Sequence, residues 1–318
     1  MEKKRENFDC SVIICTRNCA PSLEKTLQAM GGVCVPAGWR AELIVVDNAS
    51  TDNTARVARS AQLKNFEVRY LYEEKAGKSN ALNSGVAAAQ GEVILFTDDD
   101  VIPVVDWLDR LATPLLKRKC DAVVGRIELA ESLLRPWMDS THKLWLAAPD
   151  LPPDGEVELI GANMGFHRSV LKSVPKYDPE LGPGASGFGE ETVFSWQLCA
   201  AGLRLKSVPE ALVVHHPAAS RLLRSQWLAA AHKRGKSLAY MLHHWKHGEI
   251  RVPAFRAGFL KLKLLLRRMM QPPPPLDGEG APSWEMSYVA EIEMCRQFLK
   301  ERRRSRNYEK KGLVKLRV

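Results

Sequence analysis

Three short apolar runs limit what this chain can fold into. Residues 11–16 (Ser-Val-Ile-Ile-Cys-Thr), 42–46 (Glu-Leu-Ile-Val-Val) and 92–97 (Glu-Val-Ile-Leu-Phe-Thr) are rich in β-branched residues, and stretches of helical character separate them. Strands apolar on both faces need helices on both sides, which predicts an α/β fold with a mostly parallel sheet. Each run delivers a polar residue at its end: Thr16, Asp47, and Asp98 followed by Asp99 and Asp100. Open α/β sheets bind ligands where strands end at the carboxyl edge. Topology alone therefore predicts a site made from these three strand ends.

The rest of the chain fits around that frame. A helical pattern opens at Pro21, and further helices are expected over about 53–62, capped by Thr51 or Asp52, and over 78–90 and 104–118. Strands are expected at 67–72, 121–127 and 211–215, with an extended segment at 156–166. After a glycine-rich loop at 182–189, helices are expected from Glu190 to about Ala201, then over 221–246, 254–270 and 285–304. Pro272–Pro275 and residues 276–283 read as a break and a linker. With 318 residues, the chain is long enough to bury a core without disulfides or a structural metal.

Several clusters offer chemistry. Three adjacent carboxylates after a buried strand repel one another, and a hard divalent cation such as Mg2+ or Mn2+ relieves that; the alternative is a solvated acidic turn. Asp47-Asn48-Ala49-Ser50-Thr51-Asp52 lacks the glycine and closing Glu of a calcium loop, and reads as a nucleoside-binding or helix-capping turn. Glu190 and Glu191 follow a flexible loop and suit general-base work, although acidic residues also complement a helix N-terminus. Gly182, Gly184 and Gly187 match a dinucleotide fingerprint in letters only, since no strand precedes them. His215 and His216 end a strand, where one of them is a candidate metal ligand. His243 and His247 read as surface residues. No Gly-x-Ser-x-Gly, P-loop or paired Cys-x-x-Cys pattern occurs.

Taken in order, these pieces resemble family 2 glycosyltransferases of the GT-A fold. The matching residues are Val12-Ile13-Ile14-Cys15-Thr16-Arg17, Ile44 to Asp52, Ala76 to Gly85, Thr97-Asp98-Asp99-Asp100, Gly161-Ala162-Asn163, Gly189-Glu190-Glu191 and His215, spread over about residues 9–217. The resemblance implies a single Rossmann-like sheet and a nucleotide-sugar donor, most often UDP-linked. It also implies inversion at the anomeric carbon. Thr16, Arg17 and Asp47 would hold the nucleoside, with Lys78 and Asn83 lining the same pocket. Asp98 and Asp99 would lie toward the donor, Asp98 near the ribose. Asp100, with Asp98 and His215, would hold Mn2+ or Mg2+ on the diphosphate, with His216 as the fallback. Glu191 would be the base beside Glu190; it stands where the family usually has Asp. Arg221 or Arg224 would add a cationic clamp. The Gln-x-x-Arg-Trp string of processive members is absent, since 221–227 reads Arg-Leu-Leu-Arg-Ser-Gln-Trp. The implied layout is a catalytic domain over 1–217, with donor half 9–128 and acceptor half 129–217. A helical extension at 218–271, a linker at 272–284 and a basic helix and tail at 285–318 follow. The acceptor, a carbohydrate, a lipid-linked sugar or another hydroxyl compound, would meet 130–160 and 182–189.

Charge is uneven. The chain carries a net +9, but residues 221–318 hold 22 Lys and Arg against 8 Asp and Glu. The body is thus mildly acidic and the C-terminal part strongly basic, which argues against nucleic acid bound over the whole surface and for a basic tail that meets phosphate or an anionic membrane. Within 255–270, Phe255, Phe259, Leu262, Leu266, Met269 and Met270 share about 100° of one helical face. That face is expected to pack on the catalytic body, or else to lie on a membrane surface. Seven cysteines without a pairing pattern read as free thiols of a reducing cytosol. The N-terminal residues lack the apolar core of a signal peptide. The expected location is cytoplasmic, at most peripheral on the inner face of the membrane. The competing readings are a metal-dependent nucleotidyltransferase, disfavoured because Thr16-Arg17-Asn18-Cys19 contains no glycine, and a non-catalytic adaptor for membrane or nucleic acid.

Overall fold

The computed structural model describes residues 8–151 and 157–315. The three apolar runs become β1 (Cys10–Thr16), β2 (Ala41–Asp47) and β4 (Val93–Asp98). β3 (Glu67–Tyr72), β5 (Val101–Pro103), β6 (Ala122–Leu129), β7 (Asn163–His167) and β8 (Leu205–His215) complete one sheet of order β3-β2-β1-β4-β7-β6-β8-β5. The first four strands in this order pair in parallel. Beyond them β7 runs antiparallel to both neighbours, β6 and β8 are parallel, and β5 is antiparallel at the edge. The sheet is therefore mixed. Its parallel part is the half that the apolar runs predicted, because only there do helical crossovers join every strand to the next.

Strand alternation sorts the core into two layers. Val12 and Ile14 face one side with Leu43, Val45 and Leu95, against Leu23 and Leu27 of α1 (Ala20–Met30) and Leu108 and Leu111 of α4 (Trp107–Leu116). Ile13, Ile44 and Phe96 face the other, against Ala81, Leu82 and Val86 of α3 (Lys78–Ala88) and Phe194 and Leu198 of α6 (Glu190–Ala200). α2 (Thr54–Ser60) begins later than its capping residues suggested: Asp52 accepts from the backbone N–H and hydroxyl of Thr54 rather than serving as the cap itself. A short α5 (Ser140–Trp145) lies between β6 and β7.

The C-terminal helices form a separate layer. They are α7 (Arg224–Tyr240), continued by a π-helical turn over Met241–Trp245, α8 (Pro253–Met270) and α9 (Ser283–Glu301). α9 packs on both α7 and α8. α7 and α9 cross at Gly235, where a Cβ would stand 2.3 Å from the Ala290 carbonyl oxygen. A buried ion pair between Arg224 and Glu285 pins the start of α7 to the start of α9. The proline-rich connection is stitched to the chain before it: Arg224 N donates to Gly278 O and Gly280 N to Leu222 O, each at 2.8 Å. The expected helix over 254–270 forms, but the apolar face expected against the body points outward. α8 packs instead through Ala257, Leu260 and Leu264. No helix among the described residues is long and apolar enough to cross a membrane.

Candidate active site

β1 and β4 end side by side, so Thr16 and the acidic run after β4 meet at the carboxyl edge. They line a cleft of about 270 Å3 with Arg17, Asn48, Lys78, Pro183, His215 and Arg221. Each acidic side chain in it has a partner. Thr16 Oγ1 donates to Asp99 at 2.5 Å, and Lys78 Nζ donates to Asp98 at 2.8 Å. Asp100 Oδ1 lies 3.1 Å from His215 Nε2.

The histidine geometry is informative. His215 Nδ1 lies 2.8 Å from the Leu146 carbonyl oxygen, which can only accept, so Nδ1 carries the proton. The ring then turns its Nε2 toward a carboxylate oxygen of Asp100. Two acceptors at that distance need a proton or a cation between them. Ligand atoms of Asp98, Asp100 and His215 all lie within 4.8 Å of one another. One imidazole and two carboxylates form a donor set that suits Mn2+ and is compatible with Mg2+, and the carbonyl behind His215 is the outer hydrogen bond that fixes a ligand's tautomer. His216 is exposed past the strand end, and only its backbone N–H reaches Asp100, donating to the carbonyl oxygen. β-alternation thus sends the first histidine of the pair inward.

Burial and neighbouring charge set the protonation of the cluster. Burial pushes the Asp99 carboxyl up to about 7, with Asp100 and Asp98 adding to it against the Thr16 hydrogen bond. Burial acts on Asp100 the same way, but the His215 hydrogen bond and the positive charges of His215, Arg221 and Lys78 outweigh it and hold Asp100 below the usual carboxylate range. Burial opposes the charge on Lys78, yet Asp98, Glu191 and Glu190 keep its ammonium well above its ordinary value. Burial raises the Cys15 thiol, and that of Cys19 to about 12, so neither supplies a thiolate near neutral pH.

A larger cavity of about 580 Å3 adjoins the cleft and shares Lys78, Asp98, Pro183, His215 and Arg221 with it. Glu190 and Glu191 lie in its wall at the start of α6. Glu191 Oε1 is 3.6 Å from the same Lys78 ammonium that binds Asp98. Gly161 makes this approach possible, since a Cβ there would stand 2.3 Å from Glu191 Oε1. Burial, and then the adjacent Glu191, push the Glu190 carboxyl well above the usual range. Trp145, Trp196, Arg234 and Lys246 line the far side. The Arg234 guanidinium stands over the Trp145 ring at 5.3 Å and Lys246 Nζ over the Trp196 ring at 4.5 Å. The expected 182–189 loop reaches both spaces, and Lys78 N donates to Pro183 O at 2.8 Å. Of the 130–160 segment, Leu144, Trp145, Ala147 and residues 149–151 and 157–160 contribute, while 152–156 lie outside the described residues.

Two expected residues stand apart from the cleft. Asn83 exchanges hydrogen bonds with the backbone of Tyr177, accepting from its N–H at 2.8 Å and donating to its carbonyl at 3.0 Å, and so ties α3 to the next layer. Asp47 is fully buried, with its carboxylate taken up by Tyr70 Oη at 2.9 Å and Ser50 N at 3.0 Å. Its neighbour Asn48 is the one that reaches the cleft. Arg224 is spent in the ion pair with Glu285, which leaves Arg221 at the cavity. Asn163 is structural: it accepts from Trp107 Nε1 at 2.8 Å and donates to the carbonyls of Arg126 and Ala211, joining three strands. The sequence reading missed Trp145, Trp196, Arg234 and Lys246. For α7 a signal existed, because Arg234, Ser237, Leu238 and Met241 recur at helical spacing on the cavity side.

Comparison with known proteins identifies the family and the fold. The family model described as Glycosyl transferase family 2 matches residues 11–174. The succinoglycan biosynthesis protein ExoM of Rhizobium meliloti is 26% identical over 251 residues, covering 76% of this chain and 78% of that protein. Glycosyltransferase AglE of Haloferax volcanii is 33% identical over 120 residues, which cover 37% of this chain and only 39% of AglE. Among solved structures, the mannosyltransferase PcManGT of Pyrobaculum calidifontis, in complex with GDP-Man and Mn2+, superposes with a TM-score of 0.60 at 19% identity, over 93% of this chain and 88% of that one. At that identity the likeness speaks for the fold.

Proposed function

The chain belongs to glycosyl transferase family 2, and we propose that it moves a sugar from a nucleoside-diphosphate donor, UDP-linked, to an acceptor hydroxyl with inversion at the anomeric carbon. The smaller cleft takes the donor and the larger cavity the acceptor. The observation that carries this reading is their common wall. Lys78 binds Asp98 on the donor side and lies 3.6 Å from Glu191 on the acceptor side, so a base and a cation-binding triad sit within one chain of charges.

Thr16 and Arg17 hold the nucleoside, beside a turn ordered by Asp47 and by Asn48, whose amide bonds the backbone of Glu73, Lys75 and Gly77. Asp98, Asp100 and His215 hold Mn2+ or Mg2+, as PcManGT binds Mn2+ with its GDP-Man. When bound, the ion supplies a positive charge against the diphosphate as it departs. Arg221, at the junction of the two spaces, adds a fixed cation for the same charge.

Glu191 takes the acceptor hydroxyl proton. The acceptor oxygen forms a bond to the anomeric carbon as the bond from that carbon to the diphosphate oxygen breaks, and its electron pair leaves with the diphosphate. A single displacement from the face opposite the leaving group inverts the centre. Glu190, held well above the usual carboxylate range, stays protonated and leaves Glu191 as the available base. The acceptor class is a carbohydrate or a lipid-linked sugar. Hydrolysis of a panel of nucleotide sugars with Mn2+ tests the assignment: turnover of one donor supports it, and a chain that binds none of them and hydrolyses none overturns it.

A further inference from the structure

α8 has two apolar faces. Its inner face is small, made of Ala257, Leu260 and Leu264, and meets α9. Its outer face holds Phe255, Phe259, Leu262, Leu266, Met269 and Met270, with Phe255 at 75% and Met270 at 82% exposure. At 3.6 residues per turn this outer face spans roughly 100° and centres nearly opposite the inner one. Soluble surfaces scatter single apolar residues; a continuous ridge of this kind is a contact surface.

The seams between the two faces are cationic. Arg256, Lys263 and Arg267 follow one seam, and Lys261 and Arg268 the other, while no acidic residue occurs between Arg251 and Leu276. Arg256 and Arg268 turn inward to Glu291 and Glu285 of α9. Lys261 and Lys263 are exposed, the latter with its ammonium over the Phe259 ring at 4.6 Å. Long cationic side chains beside a buried apolar stripe can keep their heads at a polar boundary.

We infer that α8 lies on an anionic lipid surface, its outer face in the acyl boundary and Lys261 and Lys263 at the headgroups. Charge argues for lipid over a second copy of the chain. Phe255, Phe259, Leu262, Leu266 and Met269 follow alternating four- and three-residue steps, the spacing of a coiled-coil seam. Pairing two such seams would set Lys263 beside apolar or like-charged neighbours, with no acidic residue of α8 to meet it. An anionic surface meets both Lys261 and Lys263. The attachment is reversible and holds the enzyme where a lipid-linked acceptor would be found, without a spanning helix.

The test is co-sedimentation of the full chain with vesicles of phosphatidylcholine alone and of phosphatidylcholine mixed with phosphatidylglycerol, at low and high salt. Binding to the anionic vesicles is expected, weakened by salt. Charge reversal in Lys261→Glu/Lys263→Glu is expected to weaken it by about tenfold or more. Leu262→Glu/Leu266→Glu is expected to abolish it. Both pairs are exposed and lie outside the cleft, so the circular dichroism, melting temperature and donor hydrolysis of the variants should match wild type. Absence of binding to anionic vesicles at low salt overturns the inference. So does equal binding by both variants, or a dimer in analytical ultracentrifugation that Leu262→Glu/Leu266→Glu dissolves while vesicles capture nothing.

Discussion

In the smaller cleft, side chains arrive from strand ends and are locked by one another: Thr16 on Asp99, Lys78 on Asp98, His215 on Asp100 and on the Leu146 carbonyl. In the larger cavity next to it, the far walls come from α5, α6, α7 and the turn after α7, and carry aromatic rings and cations stacked on them. One region is acidic, narrow and cross-braced, as a site for a fixed ion and a constant nucleotide should be. The other is wider and assembled from elements distant in sequence, as a site for a variable acceptor should be. On the proposed function, the chemistry and the specificity of this chain are built on different parts of the fold, joined at Lys78, Asp98, His215 and Arg221.

The contrast can be broken at four points. The largest effect is expected from Asp100→Ala, which removes one carboxylate from the cluster of Asp98, Asp100 and His215: transfer should fall below detection, and a chelator should do the same to the wild-type enzyme. Full activity in excess chelator would separate the acidic cleft from any cation. Next, Glu191→Gln should lower kcat by about 10²–10⁴-fold while donor binding, measured by calorimetry, stays within a factor of a few. Loss of donor affinity with turnover intact would move Glu191 from the acceptor side to the donor side.

A smaller effect is expected on the far wall. Arg234→Ala or Trp196→Ala should raise the acceptor KM by roughly tenfold, the size of a stacked-cation or aromatic contact, and leave the donor KM unchanged. A change in donor KM instead would erase the division between the two spaces.

The smallest effect concerns the C-terminal segment that braces the loop before α6. Lys315 Nζ donates to Asp178 at 2.8 Å and to Glu180 at 2.6 Å, and Tyr308 Oη donates to Asp178 at 2.7 Å. Burial alone would raise the Glu180 carboxyl, but the hydrogen bonds from Lys315 and Arg304 hold it at about 2, below its ordinary 4.5. A depressed carboxylate stabilises the folded state above its unfolded value and loses that contribution as pH falls through the folded one. The segment should therefore become more susceptible to proteolysis and hydrogen exchange between about pH 4.5 and pH 2. Glu180→Gln should remove that pH dependence. An unchanged acid profile in the variant would place the loosening elsewhere.

Much of the acidic cleft was legible before folding. Thr16, Asp98, Asp99 and Asp100 follow runs whose burial on both faces is written in β-branched residues, and a strand's end is the one place where local pattern fixes position. The order of the sheet beyond β4 was not legible, because β7 and β8 have weak patterns and their places follow from pairing over long sequence separations. Asp47 and Asn48 show a finer limit. They lie at the end of the same strand, but Tyr70, from a neighbouring strand, occupies the Asp47 carboxylate, while the Asn48 amide is held by the backbone of Glu73, Lys75 and Gly77 at the cleft wall. In α8 the periodicity identified the apolar ridge and allowed two environments for it, and the fold leaves it exposed instead of packed on the body.

The sequence by itself determined the α/β class, the acidic carboxyl edge and the helix-forming character of the C-terminal part, because these depend on side-chain periodicity and on which residues end each run. Tertiary structure alone decided three matters. Strand alternation at the end of β8 chose His215 over His216. Pairing of Arg224 with Glu285 left Arg221 at the cavity. The small face of Ala257, Leu260 and Leu264 fitted against α9 and turned the larger apolar face outward. Each outcome depends on what a distant part of the chain places opposite a side chain, and no local pattern encodes that.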